Sequence, residues 1–281
     1  MRSSLAHLAL EVTYLDRARA FYVDHLGLDP VRETDTEVVF RVGDAELVLR
    51  RPTAVPRGGL HVHYAFSTPN GAFETWRERF ADLDPEEYEF GSYRSIYVDD
   101  PDGHCVEVGD NAERSSASSR VEPDDDAERS SASNRPAAGD NADRSPASGP
   151  PEAGDEADRR EDAPPLTDIF EIVLEVEDLD AAVALYETLG FEPYDRGENR
   201  RRVRLAGPFD LELWEPQLGL ADARGGVHVD LALRVADPEA TVVAVADRVG
   251  EAVQVDTRHG DGLRVRDPDG HYLTFVGGAG D

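Results

Sequence analysis

Asp100-Pro101-Asp102-Gly103-His104-Cys105-Val106-Glu107 and Asp267-Pro268-Asp269-Gly270-His271-Tyr272-Leu273-Thr274 carry one pentapeptide, twice, into a short apolar strand. The two copies diverge where chemistry would sit: the first ends on Glu107, the second on Thr274. Working outward, Leu8-Ala9-Leu10-Glu11-Val12 returns as Ile172-Val173-Leu174-Glu175-Val176, and Leu26-Gly27-Leu28 as Leu189-Gly190-Phe191. Gly58-Gly59-Leu60-His61-Val62-His63 returns as Gly225-Gly226-Val227-His228-Val229-Asp230. The same order of matches implies one fold written twice, as homologous domains over residues 1–109 and 165–281, each large enough for its own core.

Residues 110–164 join the two domains. Val121 is their only large apolar residue, and Asp110-Asn111-Ala112-Glu113-Arg114-Ser115 recurs in variant form from Asp125, Asp140 and Asp155. Such a repeat buries too little surface to offset chain entropy, so a disordered, extended acidic linker is expected.

The net charge is −30, and every basic residue is Arg. Arg stand against acids 11 to 20 in residues 1–109, 7 to 15 in 110–164 and 11 to 24 in 165–281, so the acidity is spread over both domains. Charge of this size aids solubility and opposes compaction, the trade of salt-loving proteins. It disfavours nucleic acid, for want of a basic face. Missing Lys excludes a Schiff-base lysine and a Walker-type phosphate loop. Without a leader-like or membrane-spanning apolar run, and with Cys105 as sole cysteine, a cytoplasmic protein is expected.

Periodicity gives the elements. Leu5 to Val12 alternates as a strand, Asp16 is placed to cap a helix through Phe21 and Tyr22, and strands 38–42 and 46–49 meet at Gly43-Asp44. The plan restarts with a strand over 60–66, a helix over 73–80 and strands over 93–98 and 105–108. The order is βαβββ twice per domain. The fold class is α+β, each domain a pair of βαβββ modules forming an open curved barrel.

Each strand has an apolar face for a helix-covered core and a face bearing ionisable groups. His7 lies on the ionisable face of the first strand, His61 and His63 on that of the fifth, Cys105 and Glu107 on that of the last. Two imidazoles and a carboxylate would suit a divalent metal with open positions for substrate or oxygen. Nothing in the spacing brings them together. His104 and His271 follow turn glycines and read as turn-stabilising residues.

The segments His7 to Val12, Phe21-Tyr22, Leu26 to Leu28, His63 to Phe66 and Asp100 to Glu107 together resemble the vicinal oxygen chelate superfamily. Its members include glyoxalase I, extradiol dioxygenases, fosfomycin-resistance transferases, methylmalonyl-CoA epimerase and metal-free bleomycin-resistance proteins. The resemblance implies a metal held by His7, His63 and Glu107, and a second domain whose matching positions, Glu171, Asp230 and Thr274, are non-catalytic. It implies a divalent cation, Fe2+ first, with Mn2+, Ni2+ or Zn2+ as alternatives, and a small substrate chelating through neighbouring oxygens. Some members have a fourth-strand Glu or Gln ligand; alignment puts Val48 there in domain one and Glu212 in domain two. Ile96 to Gly103 with Glu107 resembles the later part of the extradiol signature, with Tyr97 where that family has a tyrosine near the substrate; for want of the signature's opening His, Tyr97 and His61 are the expected catalytic residues. The signature's opening His has no counterpart, the window holding Tyr88, Glu89 and Phe90.

An extradiol-type ring-cleaving dioxygenase is the first expectation. A glyoxalase-type lyase or isomerase, or a fosfomycin-type transferase, is the alternative, and a metal-free binding protein the non-enzymatic one. The sequence leaves open whether domains pair within a chain or between two chains as a homodimer.

Overall fold

The computed structural model describes residues 3–52, 62–90, 93–110, 163–197, 201–215 and 229–278. Residues 111–162, where disorder is expected, and His61 lie outside the described residues.

Repeat one contributes β1 (Ser4–Glu11), α1 (Leu15–Asp24), β2 (Pro30–Glu33), β3 (Glu37–Val42) and β4 (Ala45–Arg50). Its second module is β5 (Val62–Thr68), α2 (Phe73–Arg79), β6 (Glu86–Phe90), β7 (Tyr93–Asp99) and β8 (Cys105–Asp110). Repeat two follows the same plan with β9 (Asp168–Glu175), α3 (Leu179–Thr188), β10 (Glu192–Arg196), β11 (Arg202–Ala206) and β12 (Asp210–Trp214). It closes with β13 (Val229–Val235), α4 (Pro238–Val245), β14 (Val253–Thr257), β15 (Gly260–Arg266) and β16 (Tyr272–Gly277). The chain is thus α+β, with the expected βαβββ modules.

How the modules pair decides where the site residues meet. Sheet A runs β14-β15-β16-β13-β1-β4-β3-β2 and sheet B runs β10-β11-β12-β9-β5-β8-β7-β6. Each sheet therefore joins the first module of one repeat to the second module of the other. The seams are antiparallel: β1 meets β13 with Leu8 opposite Leu231, and β5 meets β9 with Tyr64 opposite Ile172. The two modules of one repeat lie in different sheets.

One face of every seam strand enters a shared core. Leu8, Leu10, Tyr64, Phe66, Ile172 and Leu231 are buried there with Tyr22, Trp76 and Tyr186 from the helices. Each fully buried large apolar side chain contributes roughly 1.5–3 kcal/mol. Helices α3 and α4 start at Asp178 and Asp237, whose side chains accept the N–H groups of Ala181 and Ala240, both at 3.0 Å. Helix α1 differs from expectation: it begins at Leu15 after Tyr14, with no side-chain cap. Asp16 sits inside its first turn, where a negative charge favours the helix dipole without capping it.

The repeated pentapeptide is a turn latched into the core. Gly103 has φ +85°, a left-handed conformation open to glycine, and its N–H donates to Asp100 O at 3.0 Å. Asp100 Oδ1 accepts the N–H groups of Asp102 and His104, both at 2.9 Å. Asp100 Oδ2 accepts from Tyr22 at 2.9 Å and lies 2.8 Å from His104 Nδ1, while the Tyr22 and Tyr64 hydroxyls are hydrogen-bonded. His104 thus serves the turn, as expected. Burial works against the Asp100 carboxylate, but His104 and Tyr22 hold its pKa below the usual range.

Among the described residues no helix is long and apolar enough to cross a membrane.

Candidate metal centre

Strand alternation turns His63, Glu107 and Glu171 to the ionisable face of sheet B. Their strands are neighbours: β5 lies between β8 and β9, and Ala65 stands opposite both Glu107 and Glu171. One ligand atom from each of the three falls within 4.8 Å of the others, and all three are buried. His63 Nε2 lies 2.9 Å from Glu107 Oε2, and Ser95 donates to Glu107 Oε1. Tyr97 stands opposite Glu107 across β7 and β8, its ring 5.4 Å from that of His63.

The expected trio of His7, His63 and Glu107 is not brought together. His7 is on β1 in sheet A, because modules pair across the repeats. Its repeat counterpart Glu171 takes its place beside His63 and Glu107. The fourth-strand position changes for the same reason: Val48, on β4, faces the sheet A cavity, and the strand beside β9 is β12 with Glu212. Glu212 is opposite Val173, next in sequence but one to Glu171, and its Oε1 lies 3.2 Å from Arg202 Nε and 3.3 Å from Arg204 Nε. Glu171 was readable as the repeat equivalent of the expected ligand His7, and Glu212 as the acid at the fourth-strand position. What could not be read was the swap that puts them in the same sheet as His63.

The electrostatics suit a cation. Burial, opposed by Arg204 and reinforced by the charges of Glu107 and Glu212, pushes the Glu171 carboxyl up to about 8. Burial likewise works against the Glu107 carboxylate and the His63 imidazolium. Their mutual hydrogen bond and opposite charges prevail, so Glu107 moves down and His63 up. Desolvation, with Glu107 close by, raises the Tyr97 phenol well above its ordinary value. A protonated Glu171 among buried acids is the signature of carboxylates gathered without enough compensating charge, and a divalent cation would supply it.

Sheet A carries the other set: His7, Asp230 and Thr274. Here the carboxylate is already engaged. Asp230 accepts from Thr274 Oγ1 at 2.6 Å and pairs with Arg264 at 2.6 Å and Arg50 at 3.0 Å, with His7 Nε2 3.7 Å away. Burial would raise its pKa, but His7 and the two guanidiniums hold it far below the usual range. The expected non-catalytic set of Glu171, Asp230 and Thr274 is divided between the sheets: Asp230 and Thr274 meet here, beside two guanidiniums, and Glu171 lies in sheet B.

The profile of the Glyoxalase/Bleomycin resistance protein/Dioxygenase superfamily matches residues 4–108. Metallothiol transferase FosB of Staphylococcus haemolyticus is 27% identical over 133 residues, covering 44% of this chain and 96% of that protein. The FosB of Staphylococcus epidermidis is 28% identical over a stretch of the same length. Among solved structures, a candidate dioxygenase from Bacillus subtilis matches with TM-score 0.64 and 16% identity, over 98% of this chain and 84% of its own. Glyoxalase I from Zea mays matches with TM-score 0.59 and 16% identity, over 98% of this chain and 92% of its own. At such identities the structural matches speak for the fold alone, and they extend it over both repeats. The family match lies in repeat one, and repeat two follows it in sequence order and in its paired βαβββ sheets; over residues 4–108 the chain is similar to the glyoxalase, bleomycin resistance and dioxygenase superfamily.

Proposed function

We infer that the ionisable face of sheet B binds one divalent metal through His63, Glu107 and Glu171 and that this chain is a metal-dependent enzyme acting on a small substrate with neighbouring oxygens. The convergence of those three side chains carries the reading. The bound metal would act as a Lewis acid, polarising substrate oxygens at its open positions. Ser95 and Tyr97 orient Glu107 from the neighbouring strand, and Tyr97 stays protonated, its hydroxyl oxygen left to accept from a bound substrate. His61, expected beside Tyr97, is outside the described residues and keeps that role only as a proposal.

One imidazole with two carboxylates is a harder set than the two imidazoles and one carboxylate expected, so Mn2+ moves ahead of Fe2+, with Zn2+ and Ni2+ behind. This favours a non-redox reaction over extradiol ring cleavage. Thiol transfer is the first reading, supported by similarity over nearly the whole length of FosB. Isomerisation of a glyoxalase type is the second, supported by Glu212, a buried carboxylate next to the set that could receive a substrate proton. The cytoplasmic placement read from composition belongs to the same proposal.

The test is anaerobic reloading of the full chain with Mn2+, Fe2+, Zn2+ and Ni2+ separately. Thiol consumption with a fosfomycin-type epoxide, highest with Mn2+, is the expected result. Hemithioacetal turnover would select the second reading. Oxygen uptake matched to catechol cleavage with Fe2+ would restore the dioxygenase, and a chain that retains no metal would end the enzyme reading.

A further inference from the structure

Tyr22, Tyr64 and Asp100 come from three segments, helix α1, strand β5 and the turn that enters β8, and all three are buried. The Tyr22 hydroxyl donates to Asp100 Oδ2 at 2.9 Å and is also hydrogen-bonded to the Tyr64 hydroxyl. Tyr22 has one hydroxyl proton and gives it to the carboxylate, so Tyr64 is the donor to Tyr22. The chain of bonds runs one way, from β5 through α1 to the turn before β8.

The strands it ties are the two that carry His63 and Glu107. They are parallel neighbours with no turn joining them, because α2, β6 and β7 intervene in the chain. Their register sets Ala65 opposite Glu107 and Tyr64 opposite Val106. A slip of one residue would carry Glu107 from the ionisable face to the core face. Tyr64 follows His63 on the other face of β5, and Asp100 holds the turn from which β8 starts. Repeat two keeps that turn: His271 N–H donates to Asp267 Oδ1 at 2.8 Å and Gly270 N–H to Asp267 O at 3.2 Å. It does not keep the tie. Strand β13 has Leu231 where β5 has Tyr64, and a leucine side chain has no hydroxyl to give. The tie accompanies the strand pair that bears the three converging ligand groups.

We propose that Tyr22 and Tyr64 are positioning residues of the metal centre, a hydrogen-bonded bridge that fixes β8 against β5 and so sets Glu107 beside His63. The inference rests on the metal reading for what is positioned, whereas the bridge itself belongs to the metal-free chain. Both rings lie in the shared core, so the bridge acts through the strands and not by touching the ligands. Its two ends are unequal. Tyr22→Phe leaves the buried Tyr64 hydroxyl without its acceptor, while Tyr64→Phe leaves the bond from Tyr22 to Asp100 in place.

Titration of the full chain with Co2+, whose visible absorption reports ligand geometry, tests this. The wild type should take up one Co2+ per chain. Tyr22→Phe should bind it about ten-fold more weakly with a shifted band, and Tyr64→Phe should do the same to a smaller degree. Tyr186→Phe removes a hydroxyl from the matching helix of repeat two and should keep the wild-type affinity and band. In the metal-free chain, hydrogen exchange read by mass spectrometry should run about ten-fold faster over residues 105–110 in Tyr22→Phe, with residues 45–50 and 272–277 at wild-type rates. If Tyr22→Phe does not fold, Tyr64→Phe carries both measurements. A wild-type band in Tyr22→Phe and Tyr64→Phe, an equal shift in Tyr186→Phe, or exchange quickened alike in all three strands would each overturn the bridge. A wild type that takes up no Co2+ would overturn the metal reading instead, and exchange over residues 105–110 would then decide the bridge alone.

Discussion

Sheets A and B are built from the same modules in the same order, yet their ionisable faces have opposite characters. Sheet B gathers Glu107, Glu171 and Glu212 around His63; sheet A surrounds Asp230 with Arg50, Arg264 and His7. In one, the two guanidiniums sit on Glu212 and the carboxyl of Glu171 is held protonated. In the other, a carboxylate is saturated by guanidiniums and stays ionised. A few side chains on a common scaffold thus give the two faces opposite electrostatics.

The sharpest break of this comparison is removal of an imidazole on either side. His63→Ala should lower metal occupancy by about two orders of magnitude or more, measured by elemental analysis after dialysis, and His7→Ala should leave it unchanged. Equal loss in both would mean that the sites are wrongly divided. Next is Asp230→Ala, which leaves two partly buried guanidiniums without their shared counter-charge. It should destabilise the chain by about 3–5 kcal/mol in urea unfolding while metal content holds at the wild-type level.

Acidity should move the two sheets in opposite senses. Between about pH 4.5 and 8 the folded metal-free chain keeps a proton on Glu171 that the unfolded chain has lost. Stability then falls as pH rises across that window, by up to about 1.4 kcal/mol per pH unit. Metal should abolish the decline. Asp230 contributes stability above its unfolded value near pH 4, lost only as pH drops through its depressed folded value. Urea midpoints at several pH values, with and without Mn2+, check both signs. A smaller effect is expected of Glu212→Gln, about ten-fold in metal affinity, since it acts next to the ligands through its arginines. Least of all, His104→Ala should cost about 1 kcal/mol, because the turn keeps its backbone bonds and loses one side-chain partner.

Most of the strand pattern was legible because buried strands alternate strongly. Strand β2 is mostly exposed and β6 is Glu-rich, so neither showed itself by periodicity, although the βαβββ plan requires both. His63, Glu107 and Tyr97 were legible as site residues and lie together. Glu171 and Glu212 were visible only as replacements in a domain expected to be inactive. The reason is physical: the seam edges of β1 and β5 are both apolar and alike, so local pattern cannot say whether β1 pairs with β5 or β13. Only the tertiary pairing does.

The crossed seams have a consequence for how this chain can change. In a symmetric dimer of a single repeat, every substitution appears in both sites at once, so a residue harmful to one function is harmful to both. Here each ionisable face takes its first strand from one repeat and its fifth and last from the other. A mutation at Glu171 touches only one face, and one at His7 only the other. A single polypeptide can therefore select for two different ligands independently, while the shared seams oblige both halves to be inherited, expressed and folded as a unit.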